Sequence, residues 1–468
     1  MCGNSLLELS YKLSNMAKAK SKKITLEKAL VPLEEQPYEV PENWCWIKLG
    51  VISSIISKGT TPKGGKSAYV DEGIDFLRVE NINDDGTICH DDMMHVTEET
   101  HTGFLKRSIL EENDILVSIA GTLGKTAIVK NDDLPLNTNQ AVAFVRLKDN
   151  GEVSREYIRY AIDTPVIQNM LLSKTKVTAI PNLTLEIISE CLIPFPPLAE
   201  QQRIVEQIES LFSKLDEAKE KAQEVIDGYE ARNAAVYNDA FSGRLTAQWR
   251  KDNYKENKWE TKRFDEVADI KSNLVEPSNY LEFPHIAPDN IEKRTGILLD
   301  YHTIAEDGVK SGKHRFYAGQ ILYSKIRPYL SKVVMVDFDG LCSADMYPIE
   351  AKENTKYLLY YMLSDMFLEQ ASSAGSRSVL PKINQKELSA IKVRITSDEE
   401  QKEVVRILDY LLPMMQQVRD KAVQVVDNID TIKKSILAKA FRGELGTNIP
   451  EDESAIELLK IILNKGEC

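Results

Sequence analysis

The sequence predicts an α+β chain in which two mixed α/β globules are separated by two long helices, the helices pairing as an antiparallel intramolecular coiled coil in a pseudo-twofold repeat. Three observations predict it. The stretch from Glu200 to Thr246 recurs without a gap, 200 residues on, from Glu400 to Gly446. Both copies carry a heptad pattern. Each is preceded by a longer stretch in which short β-rich runs lead into a helical pattern.

In chain order, residues 1–40 form an N-terminal segment with a weak apolar start that turns basic. The first globule, 41–196, has β-rich runs at 73–79, 114–120, 126–130 and 141–147, punctuated by Gly, Asn and Asp turns, then a helical pattern at 154–164. The first helical region, 197–247, has apolar residues at Ile204, Ile208, Leu211, Leu215, Ala218, Ala222, Val225 and Tyr229, alternately four and three apart. That spacing is a coiled-coil seam, narrower than the stripe of an ordinary amphipathic helix. The second globule, 248–396, repeats the order with runs at 320–326, 331–338 and 346–350 and a helical stretch at 355–370. The second helical region, 397–447, carries Val404, Leu408, Leu411, Met415, Val418, Ala422, Val425, Ile429, Ile432 and Ile436 in the phase of the first. Two stripes in one chain most simply bury each other. Sterics allow either orientation, and a pseudo-twofold relation of the halves selects antiparallel. Pro413 predicts a kink or a late start in the second helix. Residues 448–468 form a tail.

The repeat pairs Gln201 with Gln401, Ala222 with Ala422, Phe241 with Phe441, Gly243 with Gly443 and Leu245 with Leu445. Six cysteines without a CxxC or framework spacing read as free thiols of a reducing cytoplasm. There is no run of 18 apolar residues and no signal peptide, so a cytoplasmic protein with no membrane role is expected. The net charge of −13 argues against nonspecific coating of nucleic acid but says little about one groove.

Motifs for catalysis are weak. GTTPKGGKS at 59–67 approaches a phosphate loop, but Gly65 stands where the lysine belongs. It reads better as a basic, Gly-rich loop. No GxGxxG and no amino-methyltransferase tetrapeptide occurs, so no catalytic residue and no cofactor site is assigned to this chain. Cys89, His90, His95 and His101 with Asp91 and Asp92 match no zinc spacing, and no metal site is assigned. Paired acids such as Asp84-Asp85, Asp132-Asp133 and Glu399-Glu400 read as turn or helix-start residues.

The run PFPPLAEQQRIVEQIESLFSKLDEAKE, 194–220, with AFSGRLTAQW behind it, resembles the conserved helical region of the specificity subunit of type I restriction-modification enzymes. PYEVPENWCWIKLG at 37–50, DILVSIAGTLGKTAIV at 114–129 and the tail FRGELGTNIPEDESAIELLK at 441–460 agree, so the resemblance covers nearly the whole chain. Thr396-Ser397-Asp398 in place of Pro196-Pro197-Leu198, and Pro413, depart from it.

The resemblance implies a non-catalytic DNA reader. Each globule, a target-recognition domain, would read one half of a bipartite, asymmetric target in double-stranded DNA, and the coil would set the spacer. The helices and their junctions would dock two methyltransferase subunits, and restriction and translocase subunits would join that core. S-adenosylmethionine, ATP and magnesium are then expected on the partner subunits. The well-matched Phe241, Leu245, Phe441 and Leu445 are the expected partner-binding residues.

Neither globule is basic: 41–180 has 15 Lys and Arg against 20 Asp and Glu, and 258–396 has 19 of each. A positive face must come from placement. Candidates in the first are Lys58, Thr60, Thr61, Lys63, Lys66, Arg78, Lys125, Lys174, Lys176 and Thr178. In the second they are Lys310, Lys313, Arg315, Lys325, Arg327, Tyr329, Lys332, Ser376, Arg377, Ser378 and Lys382. Arginine suits bidentate base reading, and lysines and hydroxyls suit phosphates. The competing readings are a coiled-coil scaffold without a DNA role and a nucleotide-dependent enzyme using the loop at 59–67.

If the coil is a ruler, seven residues inserted after Val225 and after Val425 keep the heptad phase and lengthen the pair by about 10 Å. The spacer should grow by about 3 base pairs, with weaker binding because the second half-site also rotates by roughly 100°. Methylation profiling of cells carrying the variant reads the spacer. An active enzyme with the original spacer would rule the ruler out.

Overall fold

The computed structural model describes residues 25–148, 151–174, 182–256, 258–374 and 381–465. They gather into two compact units, one running up to Lys219 and resuming at Asp427, the other spanning Glu220–Val426. The division therefore runs through both long helices rather than between successive segments of the chain.

In the first unit, Cys45–Lys48 pairs antiparallel with Leu192–Phe195, so the globule's opening and closing strands meet just before the first long helix. The β-rich runs form an antiparallel sheet in the order Ser53–Lys58, Val142–Leu147, Ile115–Ser118, Thr126–Ile128. A second sheet sets Ile74–Leu77 between Met94–Val96 and Leu136–Thr138. The other unit repeats the plan. Glu260–Arg263 pairs with Lys392–Ile395, and the sheet order is Ala268–Ile270, Met346–Ala351, Ile321–Ser324, Val333–Met335. Its second sheet has five strands rather than three.

Each globule takes part of its core from chain far away. In the first unit Ile204 and Ile208, Leu437, Ala440 and Phe441, and Ala455, Leu459 and Ile462 of the tail helix Ala455–Lys465 join Ile47, Tyr157 and Phe195 in one apolar cluster. In the other, Tyr237, Ala240 and Phe241 join Val404, Leu408, Tyr357 and Tyr361. Burying such side chains contributes about 1.5–3 kcal/mol each, so neither globule's apolar surface is covered by its own residues alone.

The helices run antiparallel inside both units. In the first, Lys433 contacts Asp216 at 2.6 Å while Arg203 contacts the backbone of Thr447 and the carboxylate of Asp452. In the other, Tyr229 bonds Gln416 and Thr246 bonds Glu400. The first helix is not continuous: Leu198–Asp227 ends at Gly228 and Tyr229–Phe241 follows. The Arg232 guanidinium lies over Gly228, where a Cβ would meet it at 2.6 Å, and donates to the carbonyls of Glu224 and Val225 at the break. The second helix starts at Asp398 and runs unbroken to Ala440 through Pro413, so the expected late start is not found. A proline removes one ladder bond, and the buried Val404 and Leu408 anchor the preceding turns. The seam is also narrower than the heptads suggest. Ala222, Ala422 and Ile429 are buried, whereas Val418 is 50% exposed and Val425 42% exposed. The helical stretch at 355–370 is two helices, Thr355–Leu363 and Asp365–Ala374, divided at Ser364.

The identities of the repeat are joints. Gln201 accepts from the Ser154 amide at 3.0 Å and donates to the Pro196 carbonyl at 3.0 Å, and Gln401 does the same with Asn354 and Thr396 at 3.3 and 2.9 Å. Gly243 and Gly443 have φ of +82° and +74°, and a Cβ would strike the Trp259 indole at 2.8 Å or Pro41 at 2.5 Å. Only glycine combines that backbone with that approach.

Glu200 and Glu400 are wholly buried and differ. Glu200 accepts from the Trp44 indole at 2.7 Å and Asn448 at 2.8 Å, leaving Oε1 without a hydrogen bond among the described residues. Burial pushes its carboxyl up, against the pull of those two donors. At Glu400 burial works the same way, but Thr246, Thr396, the Trp259 indole and Arg250 outweigh it and hold the carboxyl below its ordinary range. A depressed carboxyl stabilises the fold above its unfolded value and loses that contribution as pH falls; a raised one stabilises at low pH and loses it as pH rises. Glu400→Gln should therefore lower the melting temperature at pH 7, because Arg250 loses the carboxylate it pairs with. Glu200→Gln should leave the melting temperature at pH 7 unchanged or higher. Equal losses in thermal unfolding would refute the asymmetry.

Candidate nucleic-acid interface

The two globules carry the same hairpin at equivalent places. In the first, Ile115–Ser118 returns as Thr126–Ile128, and the Ser118 hydroxyl donates to the Thr122 carbonyl at 2.6 Å while accepting from the Lys125 amide at 2.8 Å. In the second, Ile321–Ser324 returns as Val333–Met335, and the Ser324 hydroxyl donates to the Ile326 carbonyl at 3.1 Å. The lysine closing each turn reaches a neighbouring carbonyl: Lys125 to Ile82 at 3.1 Å, Lys332 to Pro288 at 2.7 Å. Both turns have two left-handed residues, Gly121 and Gly124 in the first and Arg327 and Ser331 in the second.

Several basic candidates are held by the chain itself. Lys125 pairs with Asp84 at 2.7 Å, Arg78 with Glu80 at 2.6 Å, and Lys332 lies 3.5 Å from Asp289. Lys313 is buried and donates to the hydroxyl and carbonyl of Ser311, and burial pulls its ammonium down. Its ammonium is thus turned onto its own chain. Arg315 stacks among Tyr280, Phe283 and Tyr317, with ring centroids 4.9–5.9 Å away. Tyr280 and Phe283 come from one turn, closed by the Phe283 amide on the Tyr280 carbonyl, and Tyr317 follows Arg315 by two residues.

Other candidates face outward. Lys58, Lys174 and Lys310 are exposed, and Lys63 is exposed beside the Phe104 ring. Thr60 and Thr61 are half-buried, Thr60 donating its amide to the Thr138 carbonyl. Lys325, Arg327 and Lys382 are brought to one edge, where Ile326 bridges Lys382 and both lysines approach Asp345, at 3.9 and 3.3 Å. Arg327 and Tyr329 project beside them. Lys176, Thr178, Ser376, Arg377 and Ser378 lie outside the described residues, as does the side chain of Lys66.

The loop at 59–67 is not built like a nucleotide site. It leads into a single 3-10 turn, Gly65–Ala68, not into an α-helix whose N-terminus would face a phosphate. Gly59 is needed because its Cβ would lie 2.1 Å from the Thr138 and Asn139 carbonyls. His90 hydrogen-bonds Asp75 and Asp133, both at 2.9 Å, and those two bonds raise its pKa. No helix among the described residues is long and apolar enough to cross a membrane.

The family model described as the type I restriction modification DNA specificity domain matches twice, at 41–226 and 256–421, together more than half of the chain. The chain belongs to the type I restriction-modification specificity family. It is 40% identical over 290 residues to the type I restriction enzyme EcoDI specificity subunit of Escherichia coli, covering 57% of this chain and 65% of that one. It is 29% identical over 227 residues to the EcoBI specificity subunit of Escherichia coli, covering 48% and 46%. The chain thus spans less than two thirds of either relative. The fold is that of the HsdS subunit from Thermoanaerobacter tengcongensis, with a TM-score of 0.63 at 18% identity over 88% of this chain and all of the other.

For a specificity-family member, the four partner-binding candidates sit unexpectedly. Phe241 and Phe441 are fully buried, Phe241 5.0 Å from Tyr361 and Phe441 4.8 Å from Tyr157. Leu245 and Leu445 are half-buried against the same two cores. The phenylalanines have no surface to offer, because their repetition serves two equivalent cores. Phe241→Ala should cost about 3–5 kcal/mol of stability. Thermal unfolding of the isolated chain reads this, and a variant as stable as the parent but defective in assembly would restore the docking role.

Proposed function

We propose that this chain is the DNA-reading, non-catalytic subunit of a type I restriction-modification complex. Each globule reads one half of a bipartite, asymmetric target, and the antiparallel helices set the distance between the halves. What carries the reading is the doubled family match, one copy on each globule and the helix behind it. The outward-facing Lys58, Lys63, Lys174, Lys310, Lys382, Arg327 and Tyr329 support contact with a duplex, lysines suiting phosphates and arginine base edges. The long helices are the surface for two methyltransferase subunits, to which restriction and translocase subunits add. S-adenosylmethionine, ATP and magnesium belong to those partners, and the complex works in the cytoplasm.

Replacing 41–196 by the matching globule of another family member should change one half of the methylated sequence and leave the other half intact. Methylation profiling of cells expressing the hybrid reads both halves at once. A change in both halves would contradict two independent readers. Absence of any DNA shift by the chain with its methyltransferase would favour the scaffold reading.

A further inference from the structure

The equivalent hairpins differ where it matters chemically. The first turn puts glycine at both left-handed positions, with φ of +79° at Gly121 and +81° at Gly124. The second puts Arg327 at +48° and Ser331 at +44°. Glycine takes this conformation freely, whereas an arginine there is under steric strain that surrounding structure must hold. It is well held. The Arg327 amide donates to the Pro381 carbonyl at 2.8 Å, and Leu330 and Ser331 donate back to Arg327 and Pro328 at 2.9 Å each. Pro328 is buried, and the Ser331 hydroxyl reaches the Met362 carbonyl at 3.4 Å.

The Arg327 guanidinium is exposed and makes no hydrogen bond or ion pair among the described residues, while Lys325 and Lys382 beside it share Asp345. Tyr329, two residues on, stands 48% exposed at the tip of the same turn. A strained, rigidly framed backbone that presents an unpaired planar fork next to an outward ring suits contact with a nucleic-acid groove.

Resting on the proposed DNA-reading function, we infer that Arg327 is a base-reading residue of the second globule and that it recognises a guanine. A guanidinium donates two parallel hydrogen bonds to guanine O6 and N7, a pairing no other base edge offers in the major groove. Gly121 has no side chain at the equivalent place. The first globule must therefore read its half-site through other residues.

The test uses the full chain co-expressed with its methyltransferase subunit, comparing the parent with Arg327→Gly and Arg327→Lys by genome methylation profiling. Glycine restores the residue type of the first hairpin, so Arg327→Gly should melt no lower than the parent. Its methylated motif should lose discrimination at one G·C position of the second half-site, by about 10-fold or more, with the first half-site and the spacer unchanged. Arg327→Lys should show the same loss, because an ammonium cannot make the paired bonds. An unchanged second half-site in both variants would overturn the inference. So would full recovery with lysine, the mark of a phosphate contact. If the parent complex itself yields no bipartite motif, the function proposed above fails, and this reading fails with it.

Discussion

Phe441 against Tyr157, and Phe241 against Tyr357 and Tyr361, are the contacts on which the rest of the molecule depends. In both cases the phenylalanine closes a helical region that follows the other globule in the sequence. Neither α/β layer can close its apolar face with its own strands and short helices. Folding of a globule and pairing of the helices are therefore one event in each unit. The antiparallel direction follows, since only that direction returns the end of one helix to the start of the other.

The polar joints refine what the apolar contacts impose. Gln201 and Gln401 tie the first turn of each long helix to the globule's own helix start, so the rod leaves each globule at a set angle. Glu200 and Glu400 sit one residue earlier, each under a tryptophan indole, at 2.7 and 2.9 Å. The two joints are not copies, however. Arg250 completes the cage of Glu400, whereas Arg203 beside Glu200 is turned to Thr447 and Asp452 of the tail.

Recognition is expected to lie where the repeat fails. Strand order, hairpin position and closing lysine are shared by the two globules, while Gly121 against Arg327 and the size of the second sheet are not. A scaffold that must present two different surfaces keeps its backbone hydrogen bonds and varies the side chains that project from them.

The sequence by itself determined the duplicated plan, the β-rich runs at 114–120 and 320–326 and the pairing of two long helices, because strand alternation and heptad spacing are local periodicities that one chain displays openly. The doubled Gly243 and Gly443 were also legible as an identity of the repeat. Only the tertiary structure decided that Phe241 and Phe441 are core residues, that Val418 and Val425 leave the seam for solvent, that Lys313 is buried and that Arg327 stands exposed on a left-handed turn. Those outcomes depend on contacts between residues far apart in sequence. A repeated phenylalanine reads the same whether it faces a partner or a core, and a lysine's charge does not reveal which carbonyl or carboxylate will fold onto it.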